Sequence, residues 1–150
     1  MWAGLFSFVN ILAMIAWAAL ILAPRSALLN TVILYLGVGI LCLVYAVFIS
    51  LLLSGMVDGA QVAGTQTAGM DFRSIEGVRS IFMSDGGVLI GWTHYLAFDL
   101  FVGLWVSKDA DAKGVSRFVQ APILFFTFMF GPVGLLAWLI YRERFRKKRT

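Results

Sequence analysis

The stretch GWTHYLAFDLFVGLWV, residues 91 to 106, is apolar enough to lie in a lipid bilayer, yet it holds an imidazole at His94 and a carboxyl at Asp99. Proton transfer is the chemistry that suits this pair: a neutral carboxyl donates a proton and a neutral imidazole accepts one. A carboxylate at mid-membrane depth costs a few kcal/mol on insertion scales, so Asp99 is expected to face the protein interior and to be neutral or hydrogen-bonded. If the stretch is helical, Tyr95 at i−4 and Trp92 at i−7 share the Asp99 face, and Val102 extends it. His94 lies five residues away, about 140° round the helix, on a stripe with Phe98, Phe101 and Trp105. The two groups do not meet within one helix, but they can flank a common apolar cavity from different sides.

Three readings of these residues stand side by side. The functional one is a proton donor and acceptor lining an apolar cavity, and ionisable groups inside a membrane favour it. The structural one makes Asp99 an interhelical hydrogen-bond anchor, with Asn10 as partner, and His94 a satisfied core histidine. The third makes His94 an axial ligand of a porphyrin or chlorin, with Met129 or Met14 as a second ligand for haem. Ile90, one turn before His94, obstructs a flat ring on one side, while Gly91 helps it approach.

The elements that must position these residues are set by composition. The chain has 150 residues, 61% of them hydrophobic and 13% charged, and a mean hydropathy of +0.90. Soluble domains run at about 45–50% apolar and about 25% charged. So few charges cannot cover this much apolar surface, which makes the chain an integral membrane protein of one all-α domain. A single cysteine, Cys42, excludes an intrachain disulfide and a zinc framework. Phosphate loops, zinc-protease helices and nucleophile elbows are absent from the sequence. The expected cofactor set is therefore empty, with no metal.

Four apolar runs reach the roughly 20 residues that a crossing helix needs: about 3–22, 31–53, 87–106 and 119–141. The reading is a four-helix membrane bundle. The first run lacks a basic leader region and reads as a retained helix rather than a signal peptide. Between the second and third runs, Ile75, Val78 and Phe82 fall at helical spacing. They predict a short amphipathic helix at the interface, with Asp71 as its N-cap. In the fourth run, Pro132 predicts a kink, and Gly131 and Gly134 permit close approach, leaving room for an elongated apolar ligand. Pro122, near the start of that run, is tolerated there, and Gly87 and Gly91 form a small-xxx-small contact.

Of the twelve Lys and Arg, six fall at 142–150, in the segment RERFRKKRT. After a hydrophobic helix such a run reads as a cytoplasmic tail against anionic headgroups, so the partner is the lipid bilayer rather than nucleic acid. With four crossings, the N-terminus, the 55–86 connection and the tail share one side. Counting basic residues makes both termini cytoplasmic.

GWTHYLAFDLFVGLWV and the later FFTFMFGPVGLLAW resemble the plant neoxanthin synthase family, known for abscisic-acid deficiency when lost, and its bacterial homologues. The matching pattern is Trp92 and His94 followed by Asp99-Leu100, then a glycine–proline turn at Gly131, Pro132 and Gly134. The resemblance implies a bacterial inner-membrane or photosynthetic-membrane protein whose ligand or substrate is a carotenoid or related isoprenoid. It implies an isomerisation in which an epoxide opens and no redox change occurs. Asp99 would then be the acid, His94 the base and Tyr95 an orienting hydroxyl, with Trp92, Phe98, Phe101, Gly131 and Pro132 contacting the ligand. Few bacteria make neoxanthin, so the plant substrate itself does not carry over. The alternative is a non-catalytic pigment-binding accessory subunit of a photosynthetic or other membrane complex. A scaffold or transporter is least favoured, because intramembrane polar groups are few.

Overall fold

A computed structural model describes residues 1–60 and 72–145. Among them are six helices and no strands. Three are long and apolar enough to cross a membrane: α1 (Trp2–Leu22), α2 (Ala27–Leu53) and α4 (Asp85–Ala112). Between α2 and α4 lies the short α3 (Ile75–Ile81), and after α4 come α5 (Arg117–Phe130) and α6 (Pro132–Arg142).

Serines start several of these helices. Ser26, Ser74 and Ser84 each accept a hydrogen bond from the backbone N–H three residues on, at Leu29, Gly77 and Gly87, which satisfies an amide that the first turn leaves orphaned. The cap of α3 is thus Ser74, whereas Asp71 lies outside the described residues. α2 widens into a π-helical stretch at Ile33–Gly39 before resuming as an α-helix.

α4 is the axis of the fold. α1 runs parallel to it, from Trp2 beside Gly86 to the C-terminal end, where Arg117 donates to the Ile21 and Ala23 carbonyls at 2.9 and 2.7 Å. α2 runs antiparallel, with Gly37 against Leu100 and Ala16, Tyr45 against His94, and Leu52 against Gly86. Glycines on α4 provide the seats. A side chain at Gly103 would overlap the Trp17 ring, and one at Gly91 would overlap Phe82. Gly87 and Gly91 therefore receive the end of α3 rather than a second long helix.

The fourth apolar run is not one kinked crossing helix. At Gly131 the backbone turns to φ +35°, ψ −88°, a positive φ that residues with a side chain rarely adopt. Pro132 then opens a new helix at a position where its missing N–H costs nothing. α5 (14 residues) and α6 (11 residues) span only about 21 and 16 Å at 1.5 Å per residue. Neither crosses a hydrocarbon core of about 30 Å.

Their contacts show the path. Gln120 bonds Asp111 at the C-terminal end of α4, Tyr95 reaches Met129, and Gly131 abuts Asp99. α6 then returns, bringing Trp138 and Arg142 back to Asp109. The segment is a helical hairpin that enters to the depth of Asp99 and leaves by the same end. Trp2 packs at Gly86 and Arg142 at Asp109, so these two residues lie at opposite ends of α4.

The two arms cross at Gly134, where a Cβ would overlap the backbone and hydroxyl of Thr127. Gly134→Leu should force the arms apart and cost on the order of 1–3 kcal/mol, as overpacking does. The measurement is thermal melting in detergent. Gly4→Ala, at a position with open space around the would-be Cβ, should leave the midpoint unchanged.

Candidate site at the tip of the hairpin

On one face of α4, Trp92, Tyr95 and Asp99 line up as helical spacing predicts. The Trp92 indole donates to Asn10 Oδ1 at 3.0 Å, and Asn10 in turn donates to the Phe6 carbonyl at 2.6 Å. The Trp92 ring stacks between Phe6 (6.1 Å) and Tyr95 (5.2 Å), with interplanar angles of 29° and 25°. These three rings form a strip along the α1–α4 seam. The Tyr95 hydroxyl donates to the Met129 carbonyl at 3.3 Å, in the last turn of α5.

At the end of the strip the Asp99 carboxyl faces the helix break. Any side chain at Gly131 would occupy the space of its oxygens. Oδ2 is buried and has no hydrogen-bond partner among the described residues. The N-terminus of α6 begins beside it, placing the positive end of a helix dipole near the carboxyl. The interhelical anchor to Asn10 does not form, because Asn10 is engaged by Trp92.

His94 lies on a different face. Its ring packs against Phe98 (4.6 Å) and Tyr45 (5.6 Å), and it is exposed rather than a core histidine. It ends an apolar groove of about 670 Å³ walled by Leu52, Phe82, Ile90 and Gly91, with Asp58 and Ser84 at the far end. The structure does not bring His94 and Asp99 into one cavity. Met129 belongs to the Asp99 face, so it is not placed as a second axial ligand to His94. Among the described residues no group of three or more metal-ligating side chains occurs. Phe101 lines a further hollow near Trp105 and Lys108, away from both sites. Pro132 is exposed on the hairpin tip, while Gly131 is buried against Asp99.

Compared with known families, the chain matches the ABA DEFICIENT 4-like profile over residues 4–138. It belongs to the ABA DEFICIENT 4-like family. The match covers the three long helices and the hairpin as far as Trp138. Comparison with the curated proteins and with the solved structures gives no match. Membership suggests a carotenoid-related membrane protein, in keeping with three helices long and apolar enough to cross.

What holds the hairpin of this ABA DEFICIENT 4-like protein in place is a polar clamp that the sequence pattern did not reveal. The Asp109 carboxylate accepts from Trp138 Nε1 at 3.0 Å, pairs with Arg142 Nε at 3.1 Å, and pairs with Lys113 one turn on. A second set joins the α1–α2 turn to α4 and α5. Arg25 donates to Ser107 and, at 3.1 Å, to Gln120, and lies 3.9 Å from Asp111. Gln120 donates to Asp111 and to the Val115 carbonyl, both at 2.8 Å. Burial lowers the Arg25 pKa from its ordinary value, and Asp111 opposes that shift.

Removing a partner from a buried pair costs about 3–5 kcal/mol. Arg142 keeps a third of its side chain exposed, so Asp109→Ala should cost less, about 1–3 kcal/mol. Thermal melting of the purified protein reads this. Asp109→Glu should recover most of the loss.

Proposed function

We propose that this ABA DEFICIENT 4-like protein takes up a carotenoid or related isoprenoid from the bilayer and isomerises an epoxy- or hydroxy-bearing end group by acid–base chemistry. The observation that carries the reading is the Asp99 carboxyl. It sits midway along α4 beneath the hairpin tip, with one oxygen unpartnered among the described residues, at the end of the ring strip Phe6–Trp92–Tyr95. A flat polyene stacks on such rings, and its oxygenated end then lies at the carboxyl.

In the proposed reaction, Asp99 in its acid form protonates the ring oxygen and the C–O bond breaks. A proton leaves a carbon of the polyene chain, so composition and oxidation level are unchanged. The carboxylate left after donation is the nearest base, and Tyr95 orients it. His94 as base, the role implied by resemblance, requires the substrate to reach a second face of α4.

The groove at His94 supports a second reading. Its volume of about 670 Å³ falls in the 300–1,000 Å³ range of small-molecule sites, and its walls are mostly apolar. Holding a pigment there without chemistry would make the protein an accessory subunit of a membrane complex.

The orientation is also inferred. Arg25, Lys108, Lys113, Arg117, Arg142 and Arg144 lie toward one end of the bundle, against Arg73 and Arg79 toward the other, and four more basic residues come after Arg144 in the sequence. An excess of Lys and Arg marks the cytoplasmic side, which puts the C-terminal tail in the cytoplasm and Met1 across the membrane.

The test is pigment conversion in a carotenoid-producing host expressing variants whose melting is unchanged. Asp99→Asn should lower conversion by at least 100-fold, the scale of a lost general acid. Tyr95→Phe should lower it about tenfold, one hydrogen bond's worth, and His94→Ala should stay within a few-fold. Full conversion by Asp99→Asn would remove the proposal. Loss confined to His94→Ala would move the chemistry to the other groove.

A further inference from the structure

Near the basic end of the bundle lies a hollow separate from both the Asp99 niche and the His94 groove. It encloses about 330 Å³ and is lined by Leu34, Phe101, Leu104, Trp105, Lys108 and Asp109. Leu34 comes from the π-helical stretch of α2, a local widening that is frequent at functional sites. The Arg142 guanidinium lies 5.2 Å above the Trp105 ring, a cation–π contact that draws α6 over the rim.

The two ionisable groups on the lining differ. Asp109 is neutralised by Lys113 and Arg142 and further bonded by Trp138. Lys108 is exposed and forms no ion pair or hydrogen bond among the described residues. The rim therefore presents one unpaired ammonium next to a guanidinium. Below it are the apolar and aromatic walls of Leu34, Phe101, Leu104 and Trp105.

We propose that this hollow is a site for an anionic phospholipid of the surrounding bilayer. The headgroup phosphate takes Lys108 and the outer edge of Arg142, the glycerol region lies over Trp105, and an acyl chain descends along Phe101 and Leu34. The choice of occupant rests on charge. A basic pocket between helices attracts an anionic headgroup, whereas a zwitterionic head brings its own cation into the same positive field. Such a lipid would touch α2, α4 and α6 at once. It bears on no step of the isomerisation and stands independently of it.

The experiment is native mass spectrometry of the purified full chain in detergent, titrated with phosphatidylglycerol or with phosphatidylcholine of the same chains. One phosphatidylglycerol should be retained about fivefold more tightly than phosphatidylcholine, the scale of one basic residue at a membrane surface. Lys108→Ala should erase the difference, Lys108→Arg should keep it, and Arg79→Ala at the other end should have no effect. Equal retention of the two lipids, or an unchanged preference in Lys108→Ala, would overturn the site. Displacement of the lipid by millimolar inorganic phosphate would also overturn it, as the mark of a free-anion site. Because Lys108 is exposed, its replacement is not expected to unfold the chain, and unchanged melting before lipid addition checks this.

Discussion

Inside a bilayer, water cannot satisfy a broken backbone, so non-helical chain at depth survives only where protein surrounds it. That constraint governs the hairpin. At Gly131 the helix stops, and the backbone reverses against Asp99 rather than against lipid. The Gly131 N–H bonds the Thr127 carbonyl at 2.8 Å, and the Met129 carbonyl takes the Tyr95 hydroxyl. The Thr127 and Met129 carbonyls near the break thus meet partners from the hairpin itself and from α4. The same reversal gives Asp99 its surroundings. A carboxyl that would be expensive in lipid lies beside the start of α6, and the site and the fold rest on one turn of chain.

Apolar burial does little to hold such a hairpin, since lipid tails are as apolar as leucine. Close packing and polar contacts carry the load instead. Glycines bring backbones together where Gly134 crosses Thr127, where Gly103 receives Trp17 and where Gly37 meets Leu100. At the open end, Asp109 ties α6 to α4, and the Arg25–Gln120–Asp111 set ties α5 to the α1–α2 turn. Buried ionic groups are weak evidence for net stability. Their effect here is on geometry, because they fix where the hairpin leaves the bundle and hence how deep its tip sits.

Much of this was legible from residue spacing. The runs at 3–22 and 31–53 correspond to α1 and α2 within a few residues, and the 140° between His94 and Asp99 did separate them onto different faces. The run at 119–141 misled because hydropathy reports length and apolarity, and a hairpin of two short apolar helices has both. The local chemistry held the missing information. A glycine followed by proline reads as a kink inside one helix, but it equally suits a positive-φ stop followed by the first position of a new helix. The clamp was less accessible. Asp109, Asp111 and Gln120 look like ordinary residues flanking a span, and only the return of α6 and the α1–α2 turn gives them partners. For α3, apolar spacing located the helix, while its cap fell on Ser74 because that hydroxyl reaches the Gly77 amide.

The most direct test of the account is the distance between spin labels at Ala112→Cys and Phe145→Cys, in a Cys42→Ser background reconstituted into lipid nanodiscs. If the last apolar run enters and returns, both labels lie at the same end of α4, within about 20 Å of each other given the helical rise between them and the Asp109–Arg142 pair. If it crosses as a single helix, they are separated by the hydrocarbon core, about 30 Å or more. The short distance is the predicted result, and the long one would remove the hairpin and with it the placement of Gly131 on Asp99.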